Sequence, residues 1–140
     1  MSGLPQRAHE VEIDIPFHDC DPAGIVWHGN YARYFEVARC VLLDNIDYNY
    51  LQMMEYGYAW PVIDMHLRFV KPARFNQRIT ATATVDEWEH RLKISYQIRD
   101  TLSGERLARG HTIQVAVRMP DFEMQLASPR ILADKLGVPY

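Results

Sequence analysis

One amphipathic stretch, residues 30–47, constrains the fold of this 140-residue chain more than any other part of its sequence. Its apolar side chains recur at spacings of three and four, the period of an α-helix that buries one face. These side chains are Tyr31, Tyr34, Phe35, Ala38, Leu42 and Ile46. Charged residues occupy much of the other face, and Asn30 is a suitable N-cap. A long helix with one apolar face needs a partner layer to cover it.

Strand patterns stand on both sides of this helix. Before it, residues 11–17 alternate apolar and polar side chains, and Pro16 indicates a strand end or a sheet edge. After it, four strand patterns follow in succession, at residues 63–69, 79–87, 92–99 and 107–118. Because the strands are consecutive and do not alternate with helices, we predict an α+β fold with an antiparallel sheet.

Turn and cap residues predict how the last third of the chain is divided. Residues 101–104 have the composition of a hairpin turn. Ser128 is a candidate N-cap for a short terminal helix that has Pro129 at its first position, and Gly137 lies just past its expected end.

Composition excludes several classes of protein. The hydrophobic fraction is 48% and the charged fraction 24%, which suits a single domain over residues 1–140. A net charge of −3 gives no overall basic field for nucleic acid. No apolar run approaches the ~20 residues of a membrane span, and the polar N-terminus lacks a signal core. We expect a cytoplasmic protein in which Cys20 and Cys40 are reduced.

The chemically richest segment, residues 17–31, lies between the first strand and the helix. It holds two acids, Asp19 and Asp21, and two histidines, His18 and His28, around a Pro-Ala-Gly turn. An acid near a helix N-terminus can attack a carbonyl or activate a water, and free N–H groups there can stabilise the oxyanion that forms. The segment therefore predicts acyl transfer to water, although an Asp at such a position is also a common turn or capping residue.

A longer motif in this segment resembles a known family. The residues are Asp19-Cys20-Asp21-Pro22-Ala23-Gly24-Ile25-Val26-Trp27, followed by Asn30-Tyr31. They are similar to the signature of the 4-hydroxybenzoyl-CoA thioesterase family, and the order of elements over nearly the whole chain agrees with it. The resemblance implies the hotdog fold, in which an antiparallel sheet wraps around one long central helix. It also implies an acyl-CoA thioesterase for aromatic or short-chain acyl groups, without a cofactor or metal, that forms a homodimer or homotetramer.

The resemblance also implies roles for individual residues. The catalytic carboxylate of the family maps onto Asp21, as nucleophile or general base. A histidine seven residues after that acid, as in the Tol-Pal-associated branch, maps onto His28, although Phe17 stands where that branch tends to have tyrosine. The helix start near His28 is the expected oxyanion site. We expect Asp19 to bind backbone N–H groups within the loop.

Substrate contacts are expected from aromatic and basic residues. The predicted set is Trp27, Gly29, Tyr31, Trp60 and Arg91. Trp27 and Trp60 are the preferred pocket residues because they lie outside the regular helix. The phosphates of CoA need cations, and Arg91 remains where family relatives carry basic residues after a Glu-Trp pair. Lys71 and Arg74 are the alternates.

The sequence also offers alternative catalytic and metal-binding residues and alternative functions. Cys20 could be a nucleophile, but the flanking acids disfavour its thiolate. Glu36 is a reserve catalytic acid, although its place between Arg33 and Arg39 favours a surface ion pair. A metal at His18 lacks further ligands at a usable spacing. A hotdog hydratase or dehydratase acting on acyl thioesters and a non-catalytic acyl-CoA-binding module are the alternative functions.

Overall fold

A computed structural model describes residues 7–140, and within that range no helix is long and apolar enough to cross a membrane. The elements follow in the order β1 (Ala8–Asp14), a 3-10 turn (Phe17–Asp19), α1 (Asn30–Asn45), α2 (Tyr50–Glu55), β2 (Tyr58–Ala59), β3 (Val62–Phe69), β4 (Arg78–Glu87), β5 (Leu92–Asp100), β6 (Arg106–Gln114), β7 (Val117–Arg118), β8 (Glu123–Met124) and α3 (Arg130–Leu136).

The main sheet has five strands in the order β1-β4-β5-β6-β3, and every neighbouring pair is antiparallel. Helix α1 packs against β1, β4 and β5. A second, three-stranded sheet joins β2, β7 and β8. The predicted α+β fold with an antiparallel sheet and one long helix is confirmed.

The core lies between α1 and one face of the main sheet. All six apolar residues of the predicted helical stripe are buried, and Phe35 stacks on Tyr96 of β5 with ring centroids 4.4 Å apart. Residues of β4 and β5 alternate between buried and partly exposed, as expected for a sheet with one covered face. Each large apolar side chain buried here stabilises the fold by about 1.5–3 kcal/mol.

The first strand and the first helix differ from the prediction at their ends. Strand β1 ends at Asp14, because Pro16 has no N–H for the ladder and the chain turns into the 3-10 segment. Helix α1 ends at Asn45, and Asp47 has a φ of 57°, which a right-handed helix cannot contain. The N-cap is Gly29 and the prediction of Asn30 was wrong, because the Asn30 side-chain amide donates to the Asp19 carbonyl oxygen.

The strand predicted at 107–118 is wrong in its last four residues. Strand β6 stops at Gln114, whose side-chain amide donates to the carbonyl oxygen of Trp60 at 2.7 Å. The chain then leaves the main sheet, and β7 pairs with β2 in the smaller sheet. Helix α2 was not predicted, although Asn49 and Gln52 form a capping box at its start.

The terminal helix α3 is confirmed with two corrections at its start, because Pro129, predicted at the first helical position, lies one residue before the helix. Its N-cap is Pro129 and the prediction of Ser128 was wrong, since the Ser128 side chain makes no cap hydrogen bond. Gly137 follows the last helical residue with a φ of 72°, the left-handed conformation that glycine adopts at helix ends without steric cost.

Arg39 departs most from the sequence pattern. It was assigned to the polar face of α1, yet it is buried. Its guanidinium donates to the hydroxyl oxygens of Tyr50 at 2.8 Å and Tyr96 at 3.2 Å. The phenolic oxygens of α2 and β5 thus satisfy a charge that the helical period alone assigns to the surface.

Candidate active site

The loop between β1 and α1 holds the Asp21 carboxylate in a defined turn. The Asp21 N–H donates to the Ile25 carbonyl at 2.8 Å, and the Gly24 N–H donates to the Asp21 carbonyl at 2.9 Å. Gly24 has a φ of 79°, which glycine adopts readily. The Ala23 N–H donates to Asp21 Oδ1 at 2.9 Å. The other carboxylate oxygen, Oδ2, has no hydrogen-bond partner among residues 7–140.

Backbone hydrogen bonds to residues 73–75, in the segment after β3, hold this loop in place. Val26 N–H donates to the Ala73 carbonyl at 2.9 Å, and Phe75 N–H donates to the Gly24 carbonyl at 3.1 Å. The Ala73 N–H in turn donates to the Tyr31 hydroxyl oxygen at 3.1 Å. These contacts bring the end of β3 and the segment after it over the first turn of α1.

A pocket of about 260 Å³ opens at this junction. Its wall includes Asp21, His28, Tyr31, Phe69 and Lys71. The Tyr31 and Phe69 rings meet edge to face with centroids 5.0 Å apart, so they give the pocket an aromatic side. The volume lies near the lower end of the range for small-molecule sites, which suits a small acyl group.

The N-terminal end of α1 presents free donors beside this pocket. The backbone N–H groups of His28 and Gly29 donate to no acceptor in the described part of the chain. N–H groups at a helix N-terminus carry partial positive charge and stabilise an anion placed near them. A Cβ on residue 29 would collide with the ring of Trp27, so glycine allows that ring to lie against the helix start.

Asp19 is a buried anchor of the loop. Its carboxylate accepts from the Arg33 guanidinium at 2.5 Å and from the Tyr34 hydroxyl at 2.6 Å. Burial raises the pKa of Asp19, but the hydrogen bonds from Arg33 and Tyr34 outweigh burial and lower it overall. The expectation that its carboxylate binds backbone N–H groups was wrong. Its backbone carbonyl ties the loop as well, because it accepts from the Trp27 N–H at 3.0 Å.

The reserve catalytic candidates lie in unfavourable surroundings. Burial and the neighbouring carboxylates of Asp19 and Asp21 raise the pKa of the Cys20 thiol, which lowers its thiolate fraction at neutral pH. Glu36 is exposed and lies 3.8 Å from the guanidinium of Arg39, the ion pair that its sequence position predicts. In residues 7–140, no three His, Cys, Asp or Glu side chains are arranged to hold a metal ion.

The structure brings only some of the predicted residues together. Asp21, His28 and Tyr31 line one pocket, with Trp27 and Gly29 beside it at the helix start. The alternate cation Lys71 lies on the same wall, where it pairs with Glu105 at 3.0 Å. Phe69 and Val70 also line the pocket and were not predicted; their only signal was their position at the end of a strand pattern.

Two predicted substrate contacts lie elsewhere in this chain. Trp60 is buried at a separate apolar pocket and donates to the Tyr48 hydroxyl at 3.0 Å. Strand β3 separates it from Phe69 by about 25 Å of extended backbone. Arg91 directly precedes the end of β5 that pairs with Gln114, and this end of the sheet is away from Phe69. The Arg91 guanidinium pairs with Glu87 at 3.2 Å.

Comparison with known proteins identifies the family. A family model described as "Thioesterase-like superfamily" matches residues 15–129. This chain belongs to the thioesterase-like superfamily. Membership confirms the predicted hotdog fold and the predicted enzyme class, a thioester hydrolase.

Individual relatives agree with this assignment. The 4-hydroxybenzoyl-CoA thioesterase of Pseudomonas sp. strain CBS-3 is 28% identical over 129 residues, covering 84% of this chain and 82% of the relative. A 1,4-dihydroxy-2-naphthoyl-CoA thioesterase structure from Synechocystis superposes with a TM-score of 0.83 at 21% identity, covering 93% of this chain and 96% of that one. A DHNA-CoA thioesterase structure from Staphylococcus aureus superposes with a TM-score of 0.78 at 25% identity, covering 85% of this chain and 80% of that one.

Proposed function

We propose that this thioester hydrolase cleaves acyl-CoA to the free acid and CoA, with Asp21 as the catalytic carboxylate. The observation that carries the proposal is the position of Asp21: it lines a small aromatic-walled pocket, the Ala23 N–H holds one carboxylate oxygen, and the other oxygen has no hydrogen-bond partner among residues 7–140. A carboxylate fixed in this way needs little reorganisation before it acts.

Two routes use this carboxylate, and both keep charge and protons balanced. In the first, an oxygen of Asp21 attacks the thioester carbon and the CoA thiolate leaves; water then hydrolyses the mixed anhydride to the acid and the Asp21 carboxylate, and the proton released goes to the thiolate. In the second, Asp21 takes a proton from a water whose oxygen attacks the same carbon; the thiolate leaves and takes that proton from Asp21, which restores the carboxylate. Negative charge develops on the carbonyl oxygen in either case, and the N–H groups of His28 and Gly29, which have no acceptor among residues 7–140, are the donors proposed to stabilise it.

The proposed acyl group is aromatic or short. The rings of Tyr31 and Phe69 form an apolar wall, and the pocket is too small for a long chain without rearrangement. The relatives named above are thioesterases of aromatic acyl-CoA esters, which supports a benzoyl-type substrate for this chain.

A second copy of the chain is proposed to pair along β3. This strand is at the edge of the main sheet, and its apolar residues Ile63 and Met65 are exposed to 58% and 42%. An exposed apolar edge strand of eight residues is a ready template for another strand. We propose a homodimer, or a tetramer built from it, acting in the cytoplasm.

Thiol release by the wild-type protein tests the proposal. We expect free CoA from aromatic or short acyl-CoA esters, and no hydration of enoyl-CoA. His28→Ala removes the imidazole but keeps the backbone N–H, so we expect the rate of thiol release to fall by less than about tenfold. Loss of a main oxyanion donor would lower that rate ~100-fold or more. Tight binding of intact esters without thiol release, or hydration without thiol release, would contradict the proposal.

A further inference from the structure

The outer face of the main sheet, away from α1, carries a groove lined by arginines. It has a volume of about 790 Å³, and its wall includes Arg68 of β3, Arg99 of β5, and Arg106 and Arg109 of β6. All four side chains are exposed. The amide of Gln97 adds a neutral polar group to the wall.

The arginines stand directly opposite one another in the sheet. Arg68 is the cross-strand partner of Arg109, and Arg99 is the partner of Arg106. Like charges at directly opposed positions destabilise a sheet. No Asp or Glu within residues 7–140 lies within 4.0 Å of these four guanidinium groups, whereas Arg33, Arg78 and Arg91 each have such a partner. The fold thus concentrates uncompensated positive charge in one groove of a chain whose net charge is −3.

This groove adjoins the Asp21 pocket. Phe69 and Val70 line both, so the end of β3 forms a shared rim. A ligand whose reactive end lies at Asp21 can therefore place an anionic end among the arginines by passing this rim. Acyl-CoA has this form, because a flexible arm joins its thioester to a nucleotide that carries three phosphates.

We propose that the arginine groove binds the phosphorylated nucleotide end of the CoA ester. Guanidinium groups match phosphate oxygens in bidentate geometry, and bound phosphates would neutralise the opposed arginine pairs. The volume is large enough for a nucleotide. A symmetric contact with a second copy of this face would set arginine against arginine, so the groove is unsuited to self-association. The inference rests on the proposed function for its choice of ligand.

Calorimetric titration with adenosine 3′,5′-bisphosphate tests the groove without any reaction. We compare the wild type with the double variant Arg68→Gln/Arg109→Gln. Arg130→Gln is the control, because it removes an exposed arginine of α3 that is not part of the groove. We expect the double variant to bind at least about tenfold more weakly, given the strength of charge-assisted hydrogen bonds, and the control to bind as the wild type does. No binding by the wild type, or equal binding by the double variant, would overturn the proposal.

Kinetics separates phosphate binding from effects on the pocket. For an acyl-CoA, the double variant should raise KM by about tenfold or more and leave kcat nearly unchanged, since the contact is made equally in ground and transition states. For the matching acyl-pantetheine, which has no phosphate, both proteins should have the same KM. An equal rise in KM with both substrates would refute the assignment.

Measurements of stability and of thiol release distinguish the proposed groove from a structural role of the arginines and from a failure of the proposed function. The ligand-free double variant should unfold at the same urea concentration as the wild type or a higher one, because like-charge repulsion is relieved. A lower midpoint would give the arginines a structural role and overturn the proposal. A wild type that binds the bisphosphate through these arginines but releases no thiol would support the groove and contradict only the proposed function.

Discussion

Replacing Asp19 by Asn tests whether the ion pair between its buried carboxylate and Arg33 holds the site loop. The carboxylate makes two hydrogen bonds, to Arg33 and Tyr34, and its side chain is 3% exposed. Hydrogen bonds to a charged group are worth about 1.5–3 kcal/mol each. Asn keeps an acceptor for Tyr34, and the Arg33 side chain is 48% exposed and can be solvated. We therefore take the lower part of that range and expect a loss of about 3 kcal/mol, or about 9 °C in Tm for a chain of this size.

The assay is urea unfolding of both proteins at pH 7 and again at pH 3. The folded-state pKa of Asp19 is lowered. Its stabilisation is therefore present above the unfolded value of about 3.9 and is lost as the pH falls through the folded value. The wild type should lose more stability than Asp19→Asn between the two pH values. Asp14→Asn, which breaks the exposed pair with Arg78, is the matched control and should change little at pH 7. If Asp19→Asn and the control were equally stable, the anchoring role would be refuted.

Three further predictions concern other parts of the molecule. Gly110→Ala should lower the free energy of unfolding by about 1–3 kcal/mol, because its Cβ would collide with the His66 carbonyl oxygen; an unchanged urea midpoint would count against this packing. Cys20→Ser should keep its rate of thiol release within about threefold, since the raised thiol pKa makes Cys20 a poor nucleophile; a loss of 100-fold would place the thiol in the mechanism. Tyr48→Phe should lower the free energy of unfolding by about 1–3 kcal/mol, because it leaves the buried Trp60 Nε1 unpaired. We expect kcat for thiol release to stay unchanged. A fall in kcat without a loss of stability would indicate that Trp60 belongs to the active site.

Local periodicity was sufficient to predict the long elements. The apolar stripe of α1 and the alternation of β3, β4 and β5 are properties of neighbouring residues, and the structure confirms these elements. Tertiary contacts decided the rest. The break after Gln114 depends on its hydrogen bond to Trp60, which is 54 residues away in the sequence. The burial of Arg39 depends on hydroxyl groups supplied by α2 and β5.

Some residues of the candidate site could likewise be predicted from local sequence, whereas others depend on tertiary contacts. Asp21 and His28 belong to one continuous motif, so the sequence could place them together. Phe69 and the arginines of the groove come from other strands, and their positions depend on the pairing register of the sheet. Sequence order also does not indicate which end of a strand lies at a site; within this chain Arg91 lies near the β5 end that pairs with Gln114, away from Phe69, and its role in substrate binding stays a prediction. The likeness of His28 to the Tol-Pal-associated branch stays a prediction.

Thiol release by Asp21→Asn, compared with the wild type on the preferred acyl-CoA, tests the central claim most directly. Asn can still accept the Ala23 N–H, so the turn should persist while the negative charge is lost. Asp44→Asn, an exposed change in the last turn of α1, is the control. We predict that Asp21→Asn lowers kcat at least ~100-fold, a loss of about 2.7 kcal/mol of transition-state stabilisation, and that the control retains the wild-type rate. Equal rates for wild type and Asp21→Asn would contradict the assignment of Asp21 as the catalytic carboxylate.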